Sequence, residues 1–151
     1  MKSTRLFAIG AILALSLGLA PKAAAQKSLP TRALAATGDT VWVIVNSVKA
    51  DKRAQYERFV NELFWPLAAK MSATDQRTFR QTRVLNTYRP EADGTYAYLF
   101  IMDPVLHGQS YDILTLLEKG YGKAKAAEYH KLFTESLARP QKQYAVVQSR
   151  F

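Results

Sequence analysis

Thr95-Tyr96-Ala97-Tyr98-Leu99-Phe100-Ile101-Met102 is a run of β-branched and aromatic residues that reads as a strand. Side chains alternate across a strand, so Tyr96, Tyr98, Phe100 and Met102 share one face, and Thr95, Ala97, Leu99 and Ile101 the other. Large residues gather on one side and smaller ones on the other, so the two faces meet different neighbours. Immediately upstream, Arg89-Pro90-Glu91-Ala92-Asp93-Gly94 is a turn cluster. Before it, Phe79 to Tyr88 reads as a second strand, its apolar content lowered by Arg80, Gln81 and Arg83. The two strands and their loop make a hairpin.

On the N-terminal side of the hairpin, Val41 to Val48 (VWVIVNSV) is nearly continuous in apolar character, as expected of a strand covered on both faces. Asp51 is the expected N-cap of a helical segment after that strand. In this segment Tyr56, Phe59, Val60, Leu63, Phe64, Leu67, Ala68 and Met71 lay an apolar stripe at helical spacing. Pro66 lies inside that stripe and should kink the helix or end its first part, because proline has no N–H to donate. Downstream of the hairpin, Asp103-Pro104 closes the strand and Val105 to Gln109 forms a connection. Tyr111 to Leu117 suggests a short helix stopped at Gly120-Tyr121-Gly122; Lys123 to Ala138 resumes a helical pattern, and Gln143 to Phe151 gives a last strand. The order is β-α-β-β-α-β, the split βαβ of ferredoxin-like folds: an α+β chain with a four-stranded antiparallel sheet and its helices on one face. The other face would be bare apolar surface, and a second copy packed there is the simplest cover, through an isologous contact.

The 151 residues suit one domain of ordinary size, and 48% apolar against 22% charged residues describes a globular chain. There is no cysteine, which excludes a disulfide framework, a zinc ribbon, a thiol nucleophile and a lipoprotein lipobox. Lys2 and Arg5, an apolar run from Leu6 to Ala20 and the small residues Ala23-Ala24-Ala25 have the order of a secretory signal peptide, with cleavage expected before Gln26. The apolar run is short for a membrane span. Residues 1–25 are therefore read as a signal peptide, 26–40 as a flexible lead-in and 41–151 as the domain. The expected product is periplasmic or secreted, with no transmembrane segment after cleavage. Losing Lys2, Arg5 and Lys22 from the 21 basic residues leaves 18 against 12 acidic ones, a net charge of +6. The basic residues are dispersed, and Lys119, Lys123, Lys125 and Lys131 occupy a stretch that also holds Glu118 and Glu128, as on a solvated helix face. No nucleic-acid partner is expected. Two histidines without ligand spacing speak against zinc, and no G-x-S-x-G elbow occurs.

Polar groups on apolar faces supply the candidate site residues. On a helical wheel, His130 falls within the arc of Ala126, Tyr129, Phe133 and Leu137, which turns its imidazole toward the sheet. It could ligate a metal, bind haem iron, move a proton near neutral pH, or serve as a hydrogen-bonded core residue. Asn46 is the polar member of the first strand, on one face with Trp42, Ile44 and Val48; it reads as a pocket amide or as a strand-end residue satisfied locally. Arg83 could meet a carboxylate or propionate, or stay solvated. Tyr96 and Tyr98 could line an aromatic cavity with Phe100, or form an interface stripe. His107 is a loop residue with access to a pocket mouth.

A chain of this size and element order, with a broken second helix and tyrosine-rich strands from Val41 to Phe151, resembles the dimeric α/β-barrel superfamily of antibiotic-biosynthesis-type monooxygenases and haem-binding or haem-degrading relatives. The resemblance implies a homodimer and a pocket between sheet and helices in each protomer. It makes His130 and Asn46 the catalytic candidates, and Arg83, Tyr96, Tyr98, Trp42 and Tyr129 the ligand-binding ones. Haem-degrading members place an Asn on the first strand with a Trp and a His on the second helix. Asn46 and His130 match two of those places, while the second helical region carries Tyr111, Tyr121 and Tyr129 and no Trp. The expected activity is binding of a small apolar organic molecule, with cofactor-independent monooxygenation as the enzymatic form. The alternatives are haem binding with His130 as axial ligand, and a non-catalytic envelope protein.

Overall fold

A computed structural model describes residues 32–150 of the chain. The signal-peptide reading of residues 1–25 lies outside them. Strand β1 (Thr40–Val48) leads into a helical run made of a 3-10 turn (Ala50–Lys52), α1 (Arg53–Arg58), a π-helical turn (Phe59–Phe64), α2 (Trp65–Leu67) and a second 3-10 turn (Ala68–Lys70). Helix α3 (Ala73–Gln81), strands β2 (Thr82–Asn86) and β3 (Tyr96–Met102), helices α4 (Ile113–Tyr121) and α5 (Lys123–Ser136), and strand β4 (Lys142–Val147) complete the order. The strands lie in the order β2-β3-β1-β4, every neighbouring pair antiparallel. This is the ferredoxin-like arrangement that the element order predicts.

Three local features differ from the sequence expectation. The helical run starts at Ala50, one residue before Asp51, because Lys49 N donates to Ser136 O and Lys52 N back to Lys49 O. Asp51 therefore sits in the first turn, where its charge faces the helix N-terminus. Phe79 to Gln81 are helical, not the start of a strand. Ser72 caps α3 by accepting from Asp75 N (3.1 Å), and Thr82 Oγ1 closes its last turn on Thr78 O (2.9 Å). The expected break near Pro66 occurs as a widened π turn just before it, which accommodates the missing N–H. Part of the lead-in is tied to the fold: Ala35 N donates to Asp103 Oδ1 (2.8 Å) and Gly38 N to Gln148 O (3.0 Å).

The core lies between the helices and one face of the sheet. Val48, Tyr98, Phe100 and Met102 meet Tyr56, Phe59, Phe64 and Leu67 from the first helical run, and Leu117 and Phe133 from the second. Helix α4 packs closely on α2: a Cβ added at Gly120 would lie 1.9 Å from Cδ1 of the fully buried Leu67. On the opposite face Val43, Val45, Leu99 and Ile101 are half-buried, and Leu85 and Tyr144 are 48% and 42% exposed. Among the described residues no helix is long and apolar enough to cross a membrane.

Candidate functional site

At the end of the sheet where β1 begins and β3 ends, the helices stand away from the strands and leave a cavity of about 400 Å3. Its floor is Trp42 and Ile44 of β1 with Phe100 and Met102 of β3. These face the helices because they occupy alternate positions, and Trp42 pairs with Met102 and Ile44 with Phe100 in register. Its walls are aromatic: Phe64, Trp65, Phe79 and Phe133 from the helices, and Tyr111 from the connection before α4. Trp65 stacks over Phe100 (6.2 Å between centroids, 27° between planes), and Tyr111 tilts against Trp42 (5.6 Å). Both tryptophans of the chain border this space.

Polar groups are spaced around the aromatic walls. Thr78 and Thr82 stand at the β2 side, Gln141 and Gln143 at the β4 side, and Gln109, Asp112 and His130 on the helical side. Thr78 is 2% exposed and its Oγ1 has no hydrogen-bond partner among the described residues. Asp112 caps α4 by accepting from Thr115 N (2.8 Å) and Thr115 Oγ1 (2.6 Å). Those two bonds, hydroxyl first, hold its carboxyl below the usual carboxylate range, and attraction to His130 adds to them. The His130 ring lies 6.0 Å from that of Phe133, on the same helical face.

The expected site residues separate. His130 and Trp42 border the cavity. Asn46 is fully buried behind its wall, where its Oδ1 accepts from Gln141 Nε2 at 2.7 Å. Tyr129, one residue before His130 and so a quarter-turn around α5, packs edge-on against Tyr121 (5.0 Å, 86°), away from the cavity. Tyr96 lies under the Arg53 guanidinium (4.2 Å to the ring centroid), and the Tyr98 hydroxyl donates to Glu57 and accepts from Arg53 Nε (3.2 Å). Burial and then the Glu57 bond push the Tyr98 phenol up to about 12, while the Tyr98 bond, with Arg53, holds Glu57 low. Arg83 projects from the opposite face of β2 and pairs with Asp103 (3.1 Å). His107 is exposed and borders a neighbouring cavity of about 410 Å3 with Arg77 and Thr40; Gln109 lines both spaces.

Among the described residues, no group of three or more His, Cys, Asp or Glu is gathered for a metal ion. Haem is a poor match to the cavity. His130 could reach an iron, but no Lys or Arg among the described lining residues could meet the two propionates, and Asp112 adds a carboxylate.

No protein-family model matches the chain, and no curated protein matches it. Among solved structures it is similar to a presumptive antibiotic biosynthesis monooxygenase from Bordetella bronchiseptica (16% identity over 75% of this chain and 99% of that one, TM-score 0.39). A second such protein, from Caulobacter crescentus, gives 16% identity over 76% and 92% of the two chains, with a TM-score of 0.40. Rv0793 from Mycobacterium tuberculosis gives 16% identity over 74% and 96%, with a TM-score of 0.39. At this similarity they carry no weight for activity, and the ferredoxin-like assignment stands on the strand order itself.

Proposed function

We propose that the exported chain, trimmed before Gln26, is a homodimer that holds a small, uncharged, largely apolar organic molecule between sheet and helices, and acts on it as a cofactor-independent monooxygenase. The observation that carries the binding reading is the cavity itself: about 400 Å3 walled by aromatic rings, with a few polar groups and no cationic side chain among its described lining. That size and lining are ordinary for a small-molecule site. In the enzymatic form, dioxygen is the oxidant and the substrate itself the reductant: one oxygen atom enters the substrate as a carbonyl, and the other leaves as water with the two hydrogens displaced. The aromatic walls exclude water from an electron-rich substrate, and His130 takes the proton that activates it. The homodimer is supported by the apolar sheet face opposite the cavity, where Leu85 and Tyr144 are nearly half exposed.

The test uses protein recovered from the periplasm of an expressing bacterium, whose first residue is expected to be Gln26. Titration with 2-naphthol should give a saturable heat and a matching change in the emission of Trp42 and Trp65. Ile44→Phe, which fills the cavity floor, should abolish both. No saturable binding would overturn the binding reading; binding without oxygen uptake that depends on His130 would overturn the enzymatic one. Sedimentation equilibrium should give twice the chain mass, falling to one in Leu99→Asp on the bare face.

A further inference from the structure

Gln141 precedes β4 and comes directly after Pro140, where the sequence looks like loop. The register fixes its direction. Val45 pairs with Lys142, so the next step along the ladder brings Gln141 opposite Asn46, on the row that continues through Gln143 into the cavity. Gln141 borders the cavity, and its Nε2 is committed to Asn46 Oδ1 at 2.7 Å, while its Oε1 has no partner among the described residues.

Asn46 explains why that geometry holds. It is 0% exposed on a strand that is otherwise apolar on this face, and its amide nitrogen lies against the Tyr56 hydroxyl; among the described residues neither buried group has another hydrogen-bond partner. Burial pushes the Tyr56 phenol up, and contact with the Asn46 amide partly offsets this. The Asn46 side chain is thus wedged between Tyr56 and Gln141. Turning it away would break the Gln141 bond and leave the buried Asn46 Oδ1 without its donor, which is costly. A glutamine side chain at a strand end is ordinarily free to sample many rotamers. Here one half of its amide is pinned and the other half remains for a bound molecule.

At the far edge of the sheet stands a second polar group, the unpartnered and buried Thr78 Oγ1 beside β2. β2 and β4 are the two edges of the four-stranded sheet, so the two groups stand on opposite sides of the cavity. We infer that Gln141, positioned by Asn46, is a specificity-determining residue that reads one end of the bound molecule, and that the cavity selects elongated, uncharged apolar molecules with a hydrogen-bonding oxygen at each end. Asn46 touches no cavity space and acts through Gln141. The inference rests on the cavity being a binding site.

Calorimetric titration with 2-naphthol and with 2,6-dihydroxynaphthalene at pH 7, where both are uncharged, separates selection by Gln141 from binding by the cavity. The wild-type chain should bind the dihydroxy compound about five- to tenfold more tightly, the value of one added hydrogen bond. In Gln141→Leu that ratio should fall to about one with 2-naphthol affinity retained. Asn46→Val should lose the ratio equally, and the double variant should lose no more, since the two act as one unit. Gln141 lies on an exposed strand end, so Gln141→Leu decides the matter even where Asn46→Val fails to fold. An unchanged ratio in Gln141→Leu overturns the inference alone. Failure of both compounds to bind the wild-type chain overturns the cavity reading, and the inference with it.

Discussion

The helix-covered face of the sheet has one solid end and one hollow end. At the solid end, Val48 and Tyr98 are sealed by Tyr56, Phe59 and Phe133; the Tyr56 ring lies 4.6 Å from Tyr98 and 5.9 Å from Phe133. Helices α1 and α5 meet over these strands, tied by the bond from Gln55 Nε2 to Leu132 O (2.9 Å). At the hollow end, the same strands present Trp42, Ile44 and Met102, but part of what lies over them is the connection carrying Gln109, Ser110 and Tyr111. The strands are no less apolar at the hollow end, since Asn46 and the Tyr98 hydroxyl both belong to the solid one. The difference lies in the cover: two crossing helices fill the space, and a polar connection does not.

Truncation at the solid end should give the largest effect. Phe59 is 1% exposed and sits among Phe64 and Phe133 at 5.9 and 5.3 Å, so Phe59→Ala leaves a void that the crossed helices cannot collapse. The expected loss is about 3–5 kcal/mol, read from urea unfolding monitored by circular dichroism. A loss under about 1 kcal/mol would mean that this end relaxes as freely as the hollow one, and the contrast would fail.

The sequence makes the solid end legible and the hollow end only partly so. Alternation along Trp42-Ile44-Asn46-Val48 and along Tyr96-Tyr98-Phe100-Met102 gives both strands and their inner faces, and helical spacing turns His130 inward. Tyr96 and Tyr98, expected beside a ligand, belong to the solid end, because Arg53 and Glu57 reach across from α1. Alternation identifies a face and not the position along it. Helix α3 is hidden because Phe79, Gln81 and Arg83 alternate as a strand would. The Ser72–Asp75 spacing, a helix-start signal, lies just upstream and points the other way. Thr78 and Gln141 are illegible for different reasons. The first depends on α3 being a helix; the second is placed by a strand register that only the paired sheet defines.

The smaller and opposite effect belongs to Thr78 at the hollow end. Its hydroxyl has lost contact with water and makes no hydrogen bond among the described residues, so that desolvation goes uncompensated. Valine has nearly the same shape without the hydroxyl. Thr78→Val should therefore stabilise the unliganded protein by about 1 kcal/mol, a rise of a few degrees in the thermal midpoint. The same substitution should weaken 2-naphthol binding several-fold, because the group that would meet the naphthol oxygen is gone. Stability and binding moving in opposite directions is the mark of a polar group kept for a ligand. A packing residue such as Phe59, truncated, loses stability first. Thr78→Val destabilising the chain would show that the hydroxyl is satisfied within the fold, and the hollow end would lose its deep polar contact.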